Sequence, residues 1–80
     1  MERLKNASNR VVGMKQVLRG LKNGELSLVY AAEDADTFIF RRVCDAAEER
    51  RIPVIRAASM KELGKACGVD VPTAAAGLLK

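Results

Sequence analysis

Apolar and polar positions divide the chain into alternating helical and extended segments. Met14, Val17, Leu18 and Leu21 fall at i, i+3, i+4 and i+7, the spacing of a helix with one buried stripe. This predicts a helix that starts after Gly13 and stops at Asn23-Gly24. Before it, Arg10-Val11-Val12 reads as a short strand, preceded by a short helix from Glu2 to Ala7. Leu26 to Ala32 is apolar at every position but Ser27, which suits a strand covered on both faces and central in its sheet.

In the second half, Asp36 is a good N-cap for a helix running to about Arg51. Its buried stripe would pass through Ile39 or Phe40, Val43, Ala46 and Ala47. Ile52-Pro53-Val54-Ile55 reads as the next strand, with proline tolerable at its start or on an edge. Ser59-Met60-Lys61-Glu62 has the S-x-x-E spacing of a capping box, in which each side chain accepts from the other residue's amide. The helix it opens runs through Leu63, Ala66 and Cys67, and Gly68 can close it in the left-handed conformation. Val69 to Thr73 is a loop, and Ala74 to Leu79 a last strand of small apolar residues. This order predicts a three-layer α/β/α sandwich, with helices on both faces of a small mixed sheet of about four strands. No repeat or linker interrupts it, so residues 1–80 read as a single domain.

Composition narrows the function. A chain of 80 residues buries only about 60 to 65% of its unfolded surface, which leaves little stability for a deep polar cleft and places function on the surface. Fourteen Lys and Arg against ten Asp and Glu give a net charge of +4, which favours polyanionic partners, nucleic acid first. Aromatics at 4% with no Trp make base-stacking platforms scarce, so loops, helix ends and charge are the expected means of recognition. There is no His, and Cys44 and Cys67 lie too far apart for a CxxC pair, so neither a metal site nor a cofactor is expected. Both cysteines fall on apolar helix faces and read first as buried small hydrophobes, with a disulfide the lesser alternative, which fits a reducing compartment. With no signal-peptide pattern and no apolar run near the roughly 18 to 20 residues of a membrane span, the expected location is cytoplasmic.

Three constellations could carry chemistry. Gly13 ends a strand and opens a helix, leaving amides at a positive helix end where a phosphate or base acceptor can bind. Lys15, Arg19 and Lys22 line one face of that helix at i, i+4 and i+7, with Gln16 adjacent; the bland alternative is an ordinary solvated face. Glu33, Asp34 and Asp36 stand beyond the end of the central strand, where α/β ligands commonly bind, but no partner residues complete a catalytic set. Helix capping by Asp36 is the simpler role. Gly20 to Gly24 and Gly64-Lys65 both fail as phosphate-loop motifs. The loop at Val69 to Thr73 is either a turn packed on the core or an apolar tip that touches a partner, and at least one of Phe38 and Phe40, on adjacent helix faces, is left incompletely buried, able to stack on a flipped base.

Taken together, Gly13-Met14-Lys15-Gln16-Val17-Leu18-Arg19, Ala32-Glu33-Asp34-Ala35-Asp36 and Leu63-Gly64-Lys65-Ala66-Cys67-Gly68-Val69 resemble the ribosomal L-seven-Ae and L-thirty-e family of kink-turn RNA-binding proteins. The resemblance spans nearly the whole chain. It implies an α/β/α sandwich that binds a sharply bent RNA internal loop containing tandem sheared G·A pairs. Gly13, Gln16 and Arg19 match the family's helix-start motif, with Met14 between them and Lys15 where Asn is commonest. The resemblance makes Lys15 and Gln16 readers of guanine edges and Arg19 a phosphate contact. It makes Val69, Asp70 and Val71 an apolar-acidic tip against the bent backbone, and Asp36 and Phe40 the walls of an extruded-base site. Thr37 stands where Pro is common, and Met60 where a basic residue is frequent. The expected function is thus non-enzymatic: a monomer binding structured RNA, in ribosomal RNA, a riboswitch or another ribonucleoprotein, with no membrane partner. The alternative is a protein-interaction domain of the same fold; an enzyme built on Glu33, Asp34 and Asp36 is remote.

Overall fold

The computed structural model describes residues 2–6 and 8–80. Its elements are α1 (Glu2–Asn6), β1 (Arg10–Val12), α2 (Met14–Lys22), β2 (Leu26–Ala32), α3 (Thr37–Glu49), β3 (Val54–Ala57), α4 (Met60–Ala66) and β4 (Ala75–Leu79). Ala7, the expected last residue of the first helix, lies outside the described residues. The strands form one sheet in the order β1-β4-β2-β3. β4 runs antiparallel to β1 and β2, while β2 and β3 are parallel. The apolar β2 is internal, as a strand buried on both faces must be.

The two faces of the sheet carry separate cores. Leu28, Tyr30 and Ala32 pack with Leu4 of α1 and with Leu63 and Cys67 at α4. Val29, Ala31 and Leu26 pack with Val17 and Leu21 of α2 and with Val43 and Ala47 of α3. Strict alternation would put Leu26 beside Leu28, but a register shift between them turns Leu26 to the α2 side. There it lies close against Gly20, where a Cβ would come within 2.8 Å of its Cγ. Each fully buried Leu or Val contributes about 1.5 to 3 kcal/mol of burial, so these two small clusters are the main stabilising term.

The predicted third strand is shifted by two residues. Instead of Ile52–Ile55, the strand is Val54–Ala57, and α3 ends at Glu49 rather than about Arg51. Residues 50–52 are taken up in closing the helix: the Ile52 amide donates to the Ala47 carbonyl at 2.8 Å and the Arg51 amide to Glu48 at 2.9 Å. Those crossed bonds require a left-handed residue, and Arg51 adopts it at φ 58°. Pro53 then precedes an edge strand, where its missing amide costs no ladder bond, and its carbonyl accepts from Val29 at 3.0 Å.

Half of the expected capping box forms. Ser59 Oγ accepts the Glu62 amide at 3.0 Å, but among the described residues Glu62 makes no return bond to Ser59. Asp34 supplies a different cap from across the sheet end, accepting the Met60 amide at 2.7 Å. At the other end of α4, Gly68 is left-handed at φ 74°, as expected, and Arg10 donates to the Cys67 carbonyl at 2.7 Å.

Candidate nucleic-acid interface

Strand direction decides which residues can meet. β1, β2 and β3 all run the same way, because β4 lies antiparallel between β1 and β2. Their carboxyl ends, the starts of α2, α3 and α4, and the loop entering β4 therefore share one end of the sheet. Hydrogen bonds tie that end together. The Gly13 amide donates to the Ala75 carbonyl at 2.8 Å, the Ala32 amide to Ala74 at 2.9 Å, the Glu33 amide to Ala57 at 2.8 Å and the Thr73 amide to Met60 at 3.0 Å.

The start of α2 is held open by Gly13. Its φ of 100° and ψ of 151° lie in a region essentially reserved for glycine, and no side chain caps the helix. The amides of the first turn are thereby presented with the positive end of the helix dipole. No acidic residue occupies that turn. Lys15, Gln16 and Arg19 are exposed beside it, and Met14 is half-buried against the core below. The stripe of Val17 and Leu21 faces inward, so the basic residues face solvent as the helical spacing predicts.

The three acidic residues beyond β2 go to three separate tasks. Asp34 caps α4. Asp36 Oδ1 accepts the Phe38 amide at 2.9 Å and starts α3, the capping role read from the sequence. Glu33 reaches Arg56 at 3.9 Å. Among the described residues, no group of three His, Cys, Asp or Glu comes together as a metal site would require. Phe40, one turn beyond Asp36, is half-buried, and the Arg56 guanidinium stands 5.6 Å from its ring centroid.

The loop before β4 separates the two valines. Val69 is half-buried against the core, whereas Val71 is 63% exposed and Asp70 is exposed between them. Gly64 of α4 lies directly beneath: a Cβ there would collide with the Val71 carbonyl oxygen. Buried Thr73 donates its hydroxyl to the same carbonyl at 3.3 Å. The tip is thus packed from below and open above, so each alternative reading of the loop describes one of its valines.

The structure brings Gly13, Met14, Lys15, Gln16, Asp36 and Phe40 to one sheet end, with Arg19 one helical turn further along α2; Val69 follows the far end of α4, and Asp70 and Val71 lead back along that helix to Thr73 at its start. Sequence reasoning missed the positioning roles of Arg10, Asp34, Gly64 and Arg56, although Asp34 and Gly64 stand in segments it quoted for other reasons. Gly64 carried a signal, because a glycine inside a short helix marks close approach by another backbone. Arg10, Asp34 and Arg56 act across the sheet end, at separations no local pattern encodes.

Both thiols are free. Burial raises Cys67 above its ordinary 9.0 more than nearby Arg10 lowers it. Cys44 is likewise raised by burial, against the opposing charge of Arg56. Neither is an activated nucleophile. No helix among the described residues is long and apolar enough to cross a membrane.

This architecture is shared with known proteins. A solved structure titled Giardia lamblia 15.5kD RNA binding protein superposes with a TM-score of 0.87 at 30% identity, covering 99% of this chain and 67% of that one. The RNA-binding protein YbxF of Geobacillus stearothermophilus is 46% identical over 79 residues, covering 99% of this chain and 96% of its own. A Staphylococcus aureus protein, also named as RNA-binding, is 32% identical over 75 residues, covering 94% and 89%. These names point to binding proteins, not enzymes. The model of the Ribosomal protein L7Ae/L30e/S12e/Gadd45 family matches residues 1–80, and with that full-length match the chain belongs to this family.

Proposed function

We propose that the chain is an RNA-binding protein that recognises a kink-turn at this sheet end and stabilises its bend. The observation that carries the reading is the convergence of an uncapped helix start, exposed Lys15 and Gln16, and the exposed Val71 tip on one surface. Relatives at up to 46% identity are named as RNA-binding proteins.

The chemistry follows from what each group can donate or accept. A-form RNA hides its major-groove edges, guanine O6 and N7 among them, in a deep, narrow groove, so a helix end reaches those atoms only where the duplex is opened, as at tandem G·A pairs. Lys15 donates to guanine O6 or N7, and Gln16 adds both a donor and an acceptor. Arg19, further along the same face, holds phosphate. Val71 covers apolar surface of the bent strand, while Asp36 and Phe40 flank the extruded nucleotide. The natural target would be ribosomal RNA, a riboswitch or another ribonucleoprotein RNA in the cytoplasm, bound by a monomer.

Titration against two otherwise identical RNAs tests this, one with tandem G·A pairs and one with Watson-Crick pairs in their place. The G·A RNA should bind about tenfold or more tightly, since each good base contact is worth about 1 to 3 kcal/mol. Equal affinity for both would reduce the interaction to general attraction between a basic protein and a polyanion.

A further inference from the structure

The seam between α2 and α3 holds a groove of about 680 Å³, lined chiefly by Leu18, Lys22, Phe38, Arg41, Arg42 and Ala46. Phe38, Arg41, Arg42 and Ala46 fall at i, i+3, i+4 and i+8, so one face of α3 presents them together. Phe38 is 85% exposed, in contrast to buried Tyr30 and half-buried Phe40. Packing does not account for a phenylalanine so placed. Its backbone is nonetheless fixed, because the Phe38 amide is the one capped by Asp36. Lys22, Arg41 and Arg42 are exposed and form no ion pair; the one salt bridge among the described residues joins Arg56 to Glu33. Asp45, one turn beyond Arg41 and Arg42, and Glu49 also line the groove, so its positive charge is greatest toward Phe38.

An exposed ring beside unpaired guanidinium groups can stack an unpaired base and hold its phosphates. Lys15, Arg19 and Lys22 on α2 extend the positive surface from the helix start along the seam. We infer that the Phe38 end of this seam is a second RNA-binding surface, taking a single-stranded segment that flanks the kinked core. One base stacks on Phe38 while Arg41 and Arg42 hold adjacent phosphates. The inference rests on RNA binding as proposed above but needs residues separate from those that read the kink.

The test uses the full chain, Phe38→Ala, and the double variant Arg41→Gln/Arg42→Gln. All three side chains are exposed, so both variants should melt with the parent protein. The probes are a blunt-ended G·A kinked RNA, the same RNA with a single-stranded extension of about eight nucleotides at each strand end in turn, and the extension alone. Each extension carries 2-aminopurine as a stacking reporter. One extension should tighten binding by the parent protein about tenfold and quench the reporter. Phe38→Ala should lose both effects yet bind the blunt RNA as before. The double variant should lower the salt slope on that extended RNA alone, by about 0.7 for each phosphate no longer neutralised.

The inference is overturned if no extension tightens binding, or if the gain survives Phe38→Ala, which would leave the groove to a protein partner. If the blunt RNA goes unbound while the extension binds through Phe38, the kink-turn reading fails and this one stands. If the blunt RNA binds and no variant alters binding to any extended RNA, the outcome is the reverse.

Discussion

Lys15 and Gln16 differ from Arg19 in what each is expected to touch, and substitution should separate them. Lys15→Ala and Gln16→Ala should each cost about 1 to 3 kcal/mol on a G·A-containing loop and much less on plain duplex, because they address base edges. Arg19→Ala should weaken both RNAs and lower the salt slope by about one unit, as removal of a phosphate-binding cation does. Titrations of both RNAs across a salt series check this; loss of discrimination through Arg19→Ala alone would reverse the roles. Cys67 offers a check on packing. Its thiol is raised above 9.0 in the fold, so the native state keeps a proton that the unfolded chain loses as pH rises past that value. The stability this contributes is complete below 9.0 and declines as pH climbs toward the folded value. Chemical unfolding at about pH 8 and pH 10 should show a decline in the parent protein that is smaller in Cys67→Ala. Equal declines would mean the thiol is not buried in the folded chain.

Helix ends and the loop before β4 show how far local sequence carries an element. Gly24 and Gly68 have the left-handed conformation that ends α2 and α4, and glycine at such points is readable in advance. Arg51 makes the same turn after α3 with no such mark, which is why the following strand begins later than its apolar pattern suggests. Replacing this strained arginine tests that account. Arg51→Gly should leave the fold unchanged and raise stability by up to about 1 kcal/mol, since a left-handed non-glycine residue costs about 1 to 2 kcal/mol and glycine's greater unfolded freedom returns part of it. A lower melting temperature would contradict it. The loop gives the second test. Val71→Ala should melt with the parent protein but bind kinked RNA more weakly by about 1 kcal/mol, whereas Val69→Ala should lower the melting temperature. A Val71→Ala protein that melts early and binds normally would make the tip a core element.

For the whole molecule, local pattern was enough to read the layers: an apolar β2 that needs cover on both faces, the stripes of α2 and α3 for one face, and the capped α4 for the other give the sandwich. What the pattern could not supply was the joining of distant segments, such as Asp34 to the start of α4 or Arg10 to its end. Those bonds depend on strand order, and a reading of local spacing does not contain it. The motif residues at Gly13–Arg19 and Val69–Val71 were legible as separate segments. Antiparallel β4 is what sets them on one surface, through the bond from the Gly13 amide to Ala75. With Cα extents of 28 × 28 × 17 Å, the protein is a thin slab that can act on RNA from this edge without enclosing it. The central claim is that this edge fixes a bend, and energy transfer between fluorophores on the two arms of a kink-turn RNA measures it most directly. At low salt and micromolar protein, transfer should rise as the arms close, and should stay flat when Watson-Crick pairs replace the tandem G·A pairs. Unchanged transfer on the G·A RNA, or an equal rise on the control, would contradict the account.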